Sequence, residues 1–128
     1  MKNLNKLYWI KKEIKQIEEQ IAELTVISTI TMNELQMKSG VSSPVEMYYE
    51  RLEKLKEKLA MKKANLIAEE ERLEKYIDGI PDAEIRVYAR ARFIDCKSYE
   101  QIGNENFVDR TTVAKKLKNY TERSRANG

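Results

Sequence analysis

The residues with the most informative chemistry lie near the end of the chain, between positions 110 and 123. Arginine can donate two hydrogen bonds to guanine, asparagine can pair with adenine, and threonine offers a hydroxyl and a methyl group. Lysine can neutralise phosphates without selecting a base. The candidate DNA-contacting residues are Arg110, Thr111, Thr112, Lys115, Lys116, Lys118, Asn119 and Arg123. Their types and close spacing predict a surface that binds double-stranded DNA.

Groups that common enzyme mechanisms need are scarce in this sequence. The chain has no histidine and a single cysteine, Cys96. It therefore lacks a histidine base, a Cys/His metal cluster and a disulfide framework. Asp82, Glu84 and Asp95 are interpreted as helix caps and surface charge, not as metal ligands. We expect a binding protein and not an enzyme, with no catalytic residue, no metal and no cofactor.

The positive charge is confined to one end of the chain. Among 128 residues, 24 are Lys or Arg and 21 are Asp or Glu, which gives a formal net charge of +3. The two classes balance over residues 1–81, so the whole excess lies in residues 82–128. A basic end on a neutral body indicates that the C-terminal part binds a polyanion.

Capping signals divide the basic end into three helices. Pro81 and Asp82 begin the first, which a short break at residues 95–97 ends. Residues 98–101 form an S-x-x-Q capping box that begins the second helix. Asp109 caps a last helix that runs from residue 110 to about residue 121.

Short helix, turn and basic helix is the order found in a DNA-binding helix-turn-helix, whose second helix enters the major groove. Ile102, Val108 and Val113 have the spacing expected of residues that pack these two helices together. Gly103 is small where the helices would cross. The sequence therefore predicts a helix-turn-helix, and a plain three-helix bundle with a basic surface is the alternative.

The N-terminal half contains an apolar stripe at heptad spacing. Such a stripe needs a partner surface, because a single helix cannot bury it. We expect association into a homodimer or a higher homo-oligomer through this stripe. The predicted oligomerisation residues are Leu7, Ile10, Ile14, Ile17, Ile21 and Leu24. The β-branched run at residues 25–31 is expected to weaken the helix, and Ser39 and Gly40 to stop it.

A second long helix is predicted from residue 44 to Asp78. Residues 43–46 form a capping box with proline at the first helical position, and Gly79 ends the run. Apolar residues recur every seven positions from Val45 to Ile80. The predicted fold is all-α: a long antiparallel, coiled-coil-like hairpin over residues 1–79, followed by a helix-turn-helix domain over residues 80–128.

The sequence shows no signal for export or for a membrane. It has no apolar run of about 18 residues, and no apolar stretch typical of a signal peptide follows Met1. We therefore expect a cytoplasmic protein in a bacterial host cell, with no membrane partner.

Four motifs resemble region 4 of sigma factors: Ile80–Asp82, Ala91–Ile94, Ser98–Gly103 and Asp109–Val113. The chain more closely resembles small phage-encoded regulators of late transcription of the RinA/ArpU type. Those proteins also carry a charged helical N-terminal half with a similar hinge, so the resemblance covers most of the chain. It implies a DNA-binding transcription regulator of phage or prophage genes that activates late genes.

The sequence departs from the pattern of the resembled family in the turn, near the end of the last helix and in the linker before the helix-turn-helix. Asn106 and Phe107 stand where an apolar residue followed by glycine is usual, which predicts a turn whose apolar residue has moved by one place. Lys116 precedes Leu117 near a position that is usually apolar. Cys96 occupies a linker position where glycine is frequent.

Two other functions are compatible with the same elements. A small terminase subunit, which recognises phage DNA for packaging, also combines a helix-turn-helix with oligomerising helices. A protein-interaction module that acts on RNA polymerase would need the C-terminal helices but no DNA. Promoter-proximal binding distinguishes regulation from packaging, and undetectable DNA binding would favour the interaction module.

Overall fold

The computed structural model describes the backbone of residues 4–36 and 43–127, and the side chains of residues 4–26 and 45–123. The regular secondary structure in these ranges is helical throughout, so the predicted all-α class is confirmed. The helices are α1 (Lys6–Gln36), α2 (Ser43–Asp78), α3 (Ala83–Ala89), α4 (Tyr99–Asn106) and α5 (Arg110–Asn127), and α3 continues into a turn of π-helix (Arg90–Ile94). Among these described residues, no helix has an apolar stretch long enough to cross a bilayer.

The chain divides into two compact units. The central unit comprises Ile10–Leu66, and the terminal unit comprises Met1–Trp9 and Ile67–Gly128. This division differs from the predicted boundary at Gly79, because the start of α1 and the end of α2 group with the C-terminal helices. Leu7, Leu73 and Ile77 give the physical reason, since all three are buried apolar side chains of the terminal unit.

The central unit contains most of α1 and the first part of α2. Its buried side chains include Ile10, Ile14, Ile17 and Leu55. Ion pairs link the two helices: Lys62 Nζ lies 3.2 Å from Glu13 Oε2, and Lys63 Nζ lies 3.8 Å from Glu18 Oε2. Exposed pairs of this kind each contribute at most about 1 kcal/mol, so apolar burial is the main source of stability.

The predicted weakening of α1 after Leu24 is not found. The helix continues without a break to Gln36, and the Thr25 hydroxyl donates a 2.8 Å hydrogen bond to the Ile21 carbonyl. A β-branched residue costs only about 0.5 kcal/mol of helix propensity, which is too little to end a long helix. The stop expected at residues 39–40 lies outside the described residues, and so do the side chains of Ser43 and Pro44.

The core of the terminal unit is formed by apolar residues at helical spacing from every helix that contributes to it. The largest fully buried side chains are Leu7, Leu73, Ile80, Tyr88, Ile102, Val113 and Leu117. Full burial of such a side chain contributes about 1.5–3 kcal/mol each. This core holds α3, α4 and α5 together and so fixes the surface that α5 presents to solvent.

Capping side chains set the ends of the short helices. The Asp82 carboxylate accepts a 2.8 Å hydrogen bond from the Glu84 amide, which begins α3. At the start of α4, the Gln101 amide donates to Ser98 Oγ at 3.1 Å, and the Ser98 amide donates to Gln101 Oε1 at 2.9 Å. The predicted capping box is therefore confirmed. It fixes where α4 begins, and hence the position of the turn that follows it.

Candidate nucleic-acid interface

Helices α4 and α5 approach closely at Gly103. A Cβ atom placed on Gly103 would lie 2.6 Å from the Val108 carbonyl oxygen and 3.2 Å from the Arg110 amide nitrogen. Ile102 and Val113 are fully buried on either side of this contact, and Val108 is half-buried. The predicted packing residues therefore join the two helices, and the absence of a side chain at position 103 sets their separation.

The turn between α4 and α5 differs from the predicted one. Phe107 adopts the left-handed conformation (φ 59°, ψ 38°), and its side chain is 95% exposed. Asn106 is half-buried, and its side-chain amide donates a 2.8 Å hydrogen bond to the Ile102 carbonyl. The Phe107 side chain does not pack into the core, because its ring points into solvent. Only the backbone of Phe107 contributes to the turn.

One face of α5 carries exposed basic residues. At 100° per residue, Thr111, Lys115, Lys118 and Asn119 lie on the side opposite buried Val113 and Leu117. All four are exposed. Within the described side chains, Lys115 and Lys118 of this face form no ion pair, and neither do Arg110 and Arg123, which lie outside it around the helix. This face extends over about three turns, until Glu122 adds an acidic group.

Several other basic residues of the terminal unit are paired with carboxylates, whereas Arg86 and Arg92 donate to backbone carbonyls. Arg90 lies 2.7 Å from Glu74, and Lys97 lies 2.9 Å from Glu105. Lys116, one of the predicted DNA-contacting residues, lies 2.7 Å from Glu84 of α3. Lys116 therefore lies on the side of α5 that faces α3, about 160° around the helix from Lys118.

The remaining predicted contacts differ in how accessible they are. The Thr111 hydroxyl donates a 2.5 Å hydrogen bond to Asp109 Oδ2, which leaves its methyl group and oxygen lone pairs available. Thr112 is only half-exposed. The exposed members of the predicted set that no other described side chain holds are Arg110, Lys115, Lys118, Asn119 and Arg123.

Sequence reasoning missed a groove between the beginnings of α4 and α5. It has a volume of about 400 Å³ and is lined by Arg92, Ser98, Tyr99, Glu100, Arg110, Thr111 and Ala114. The Arg92 guanidinium lies 4.3 Å from the centre of the Tyr99 ring and donates a 3.0 Å hydrogen bond to the Lys97 carbonyl. Arg92 and Arg110 place two positive charges along this groove, and Glu100 places one negative charge there. The sequence feature connected with this groove is an arginine six residues before a helix cap, and that pattern is too weak to predict a groove.

A hydrogen-bonded network fixes α5 against α3. Glu84 accepts from Lys116 Nζ at 2.7 Å and from the Tyr88 hydroxyl at 2.6 Å. These two bonds hold the pKa of Glu84 below its usual value, whereas burial and the neighbouring Glu84 raise the pKa of Tyr88 to about 12. The network therefore holds the neutral phenol and the charged carboxylate in place and orients the outer face of α5.

This network predicts an acid-dependent part of the stability. A carboxylate whose pKa is lower in the folded state stabilises the fold above its unfolded pKa, and that stabilisation is lost as pH falls through the folded value. The free energy of unfolding of the wild type should therefore decrease below about pH 4.5, the reference value for Glu84. The Glu84→Gln variant should show a smaller decrease, measured by chemical denaturation at a series of pH values.

The Lys116→Gln variant provides a second test of the same network. It removes the largest cause of the lowered Glu84 pKa, so it should also reduce the acid-dependent loss of stability. An unchanged pH profile in both variants would contradict the assignment.

The predicted oligomerisation stripe is covered to different extents within a single chain. Leu7, in the terminal unit, and Ile10, Ile14 and Ile17, in the central unit, are buried. Ile21 and Leu24 remain half-exposed. Of the predicted stripe, only Ile21 and Leu24 are therefore partly exposed in a single chain.

Comparison with protein-family models, curated proteins and solved structures found no match to the chain. Within the described residues, no group of three or more Cys, Asp or Glu side chains is placed to hold a metal ion. A functional assignment therefore depends on the residues of the interface and on the sequence resemblance.

Proposed function

We propose that the chain is a sequence-specific DNA-binding protein that regulates transcription of phage or prophage genes, with late-gene activation as its role. The observation that supports this proposal most strongly is the exposed, unpaired positive charge along α5, in contrast to Arg90, Lys97 and Lys116, which are paired with carboxylates. Unpaired, exposed positive charge on one helix face attracts a polyanion, whereas paired charge does not. Helices α4 and α5, with the intervening turn, act in this proposal as a helix-turn-helix.

In the proposed function, α5 enters the major groove. Arg110, at its first turn, donates to a guanine. Asn119, nine residues later and on the opposite side of α5, contacts the DNA backbone. Lys115 and Lys118 contact phosphates, as does Arg92 at the groove beside α4. Lys116 stays paired with Glu84 and contributes no direct contact.

Selection of bound fragments from the genome of the host and its phages tests this function. Fragments next to promoters would support transcription regulation. Enrichment of a single site beside packaging genes, with a ring of eight or more subunits, would replace the proposal by a small terminase subunit. No enrichment even at low salt would contradict DNA binding and favour a module that acts on RNA polymerase.

Tight binding in this proposal requires two copies of the chain. A net charge of +3 gives each copy a weak non-specific affinity, and a dimer can contact two half-sites. The half-sites would lie about 10 base pairs apart or at a multiple of that distance. The residues offered for association are the half-exposed Ile21 and Leu24 and, on α2, Leu52 and Leu59.

We expect sedimentation equilibrium at tens of micromolar to give a mass of at least twice the 15.1 kDa of one chain. The Ile21→Asp variant should lower this mass, because an unpaired charge at an apolar interface costs several kcal/mol. The Gln20→Asp variant, at an exposed neighbouring position, serves as the matched control and should keep the wild-type mass. A wild type that sediments as a single chain would contradict this prediction.

A further inference from the structure

Phe107 combines two features that the fold itself does not require. Its backbone is in the left-handed region, which glycine adopts without a steric penalty and phenylalanine does not. Its side chain is 95% exposed, the highest exposure among the large apolar residues described. Both features are energetically unfavourable for a phenylalanine. They therefore indicate that its side chain contacts a partner and does not stabilise the fold.

The packing of α4 against α5 does not depend on the phenyl ring. The amides of Phe107 and Val108 both donate to the Gly103 carbonyl, the second at 3.0 Å, so the turn is closed by backbone groups. Ile102 and Val113 supply the buried contacts between the helices. Glycine at position 107 would therefore satisfy every interaction that the structure assigns to this residue.

Phe107 lies in the turn just before the basic helix α5. It precedes Arg110 by three residues, so the two Cα atoms are at most about 11 Å apart. Arg110 is unpaired among the described side chains, and so is Lys115, five residues further along α5. The two carboxylates that flank Phe107 are engaged, since Glu105 pairs with Lys97 and Asp109 accepts from the Thr111 hydroxyl. A polyanion drawn to this face is therefore the partner whose charge suits the surroundings of the ring.

The chemistry of the ring limits what it can contact there. Phenylalanine has no hydrogen-bonding group, and the thymine methyl is the one apolar group that base edges present in the major groove. The geometry points to Phe107 as a specificity residue that packs against a thymine methyl at the edge of each half-site. This inference depends on the proposed DNA binding of α5 and adds a base preference to it.

Binding of the full chain to its selected duplex, measured by fluorescence anisotropy, tests the assignment. The Phe107→Gly variant should bind about three- to tenfold more weakly, because it loses the contact that buries one thymine methyl group and part of the Phe107 ring. Its thermal unfolding midpoint should equal or exceed that of the wild type, because glycine fits the left-handed turn. The Val87→Ala variant, at another exposed apolar position of the terminal unit, should bind as the wild type does.

Replacing single thymines by deoxyuridine removes only the methyl group and identifies the contact. At one position per half-site, this change should weaken the wild type about threefold or more and leave Phe107→Gly unaffected. Equal affinity of Phe107→Gly and the wild type would overturn the inference, and so would equal sensitivity of both to every deoxyuridine. No binding by the wild type to any DNA would instead overturn the proposed function.

Discussion

Replacing Gly103 with valine should destabilise the terminal unit by about 3 kcal/mol or more. The new Cβ would lie 2.6 Å from the Val108 carbonyl oxygen, a backbone atom that cannot move aside without displacing the start of α5. Overpacking of this kind costs about 1–3 kcal/mol and sometimes more, and a β-branched residue adds further bulk. The gain in helix propensity over glycine is under about 1 kcal/mol, so the steric cost prevails.

Chemical denaturation followed by tryptophan fluorescence measures this effect selectively. Trp9 is the single tryptophan and belongs to the terminal unit, so its signal reports on the unit that contains Gly103. Gly79→Ala is the matched control, because a Cβ there would lie 3.4 Å from the Tyr76 carbonyl oxygen, an ordinary contact. A Gly103→Val protein as stable as Gly79→Ala would contradict the close packing of α4 on α5.

Arg110→Ala and Lys118→Ala should weaken DNA binding in two different ways. A bidentate arginine–guanine pair contributes about 1–3 kcal/mol of discrimination, so Arg110→Ala should lose that much on the preferred site and accept other bases there. Lys118→Ala should weaken all sequences alike and reduce the salt dependence by about one counterion. Anisotropy titrations over a salt series, on the selected site and on a scrambled duplex, separate the two effects.

Lys97→Ala is the control for these titrations. Lys97 has the same charge as Lys118 but is held 2.9 Å from Glu105, and that bond raises its pKa. Its replacement should leave both the affinity and the salt slope close to wild-type values. If Lys118→Ala behaves like Lys97→Ala, the unpaired face of α5 does not contact DNA.

Features decided by neighbouring residues could be predicted from the sequence. The capping box at Ser98 and Gln101 depends on groups three residues apart, and both of its hydrogen bonds are present. The burial of Ile102 and Val113 follows from their spacing around the turn. Helical periodicity therefore predicted the all-α class, and capping signals predicted where α4 and α5 begin.

Features decided by distant residues could not be predicted in this way. Lys116 differs from Lys118 because Glu84, 32 residues earlier, is brought within 2.7 Å of it by the packing of α3. Phe107 is left-handed because the turn must close over Gly103, a demand that phenylalanine itself does not signal. The boundary between the two units likewise depends on the burial of the start of α1 and the end of α2, which no local motif predicts.

An NMR titration of the isotope-labelled full chain with its selected duplex tests the central claim most directly. Backbone amide shifts report which residues contact DNA without any substitution that could unfold the protein. We expect the largest changes between Phe107 and Asn119, with smaller changes at Arg92 and little change at the paired residues Arg90 and Glu105. Changes confined to surfaces other than α5, or no change at saturating DNA, would contradict the assignment of α5 as the DNA-binding helix.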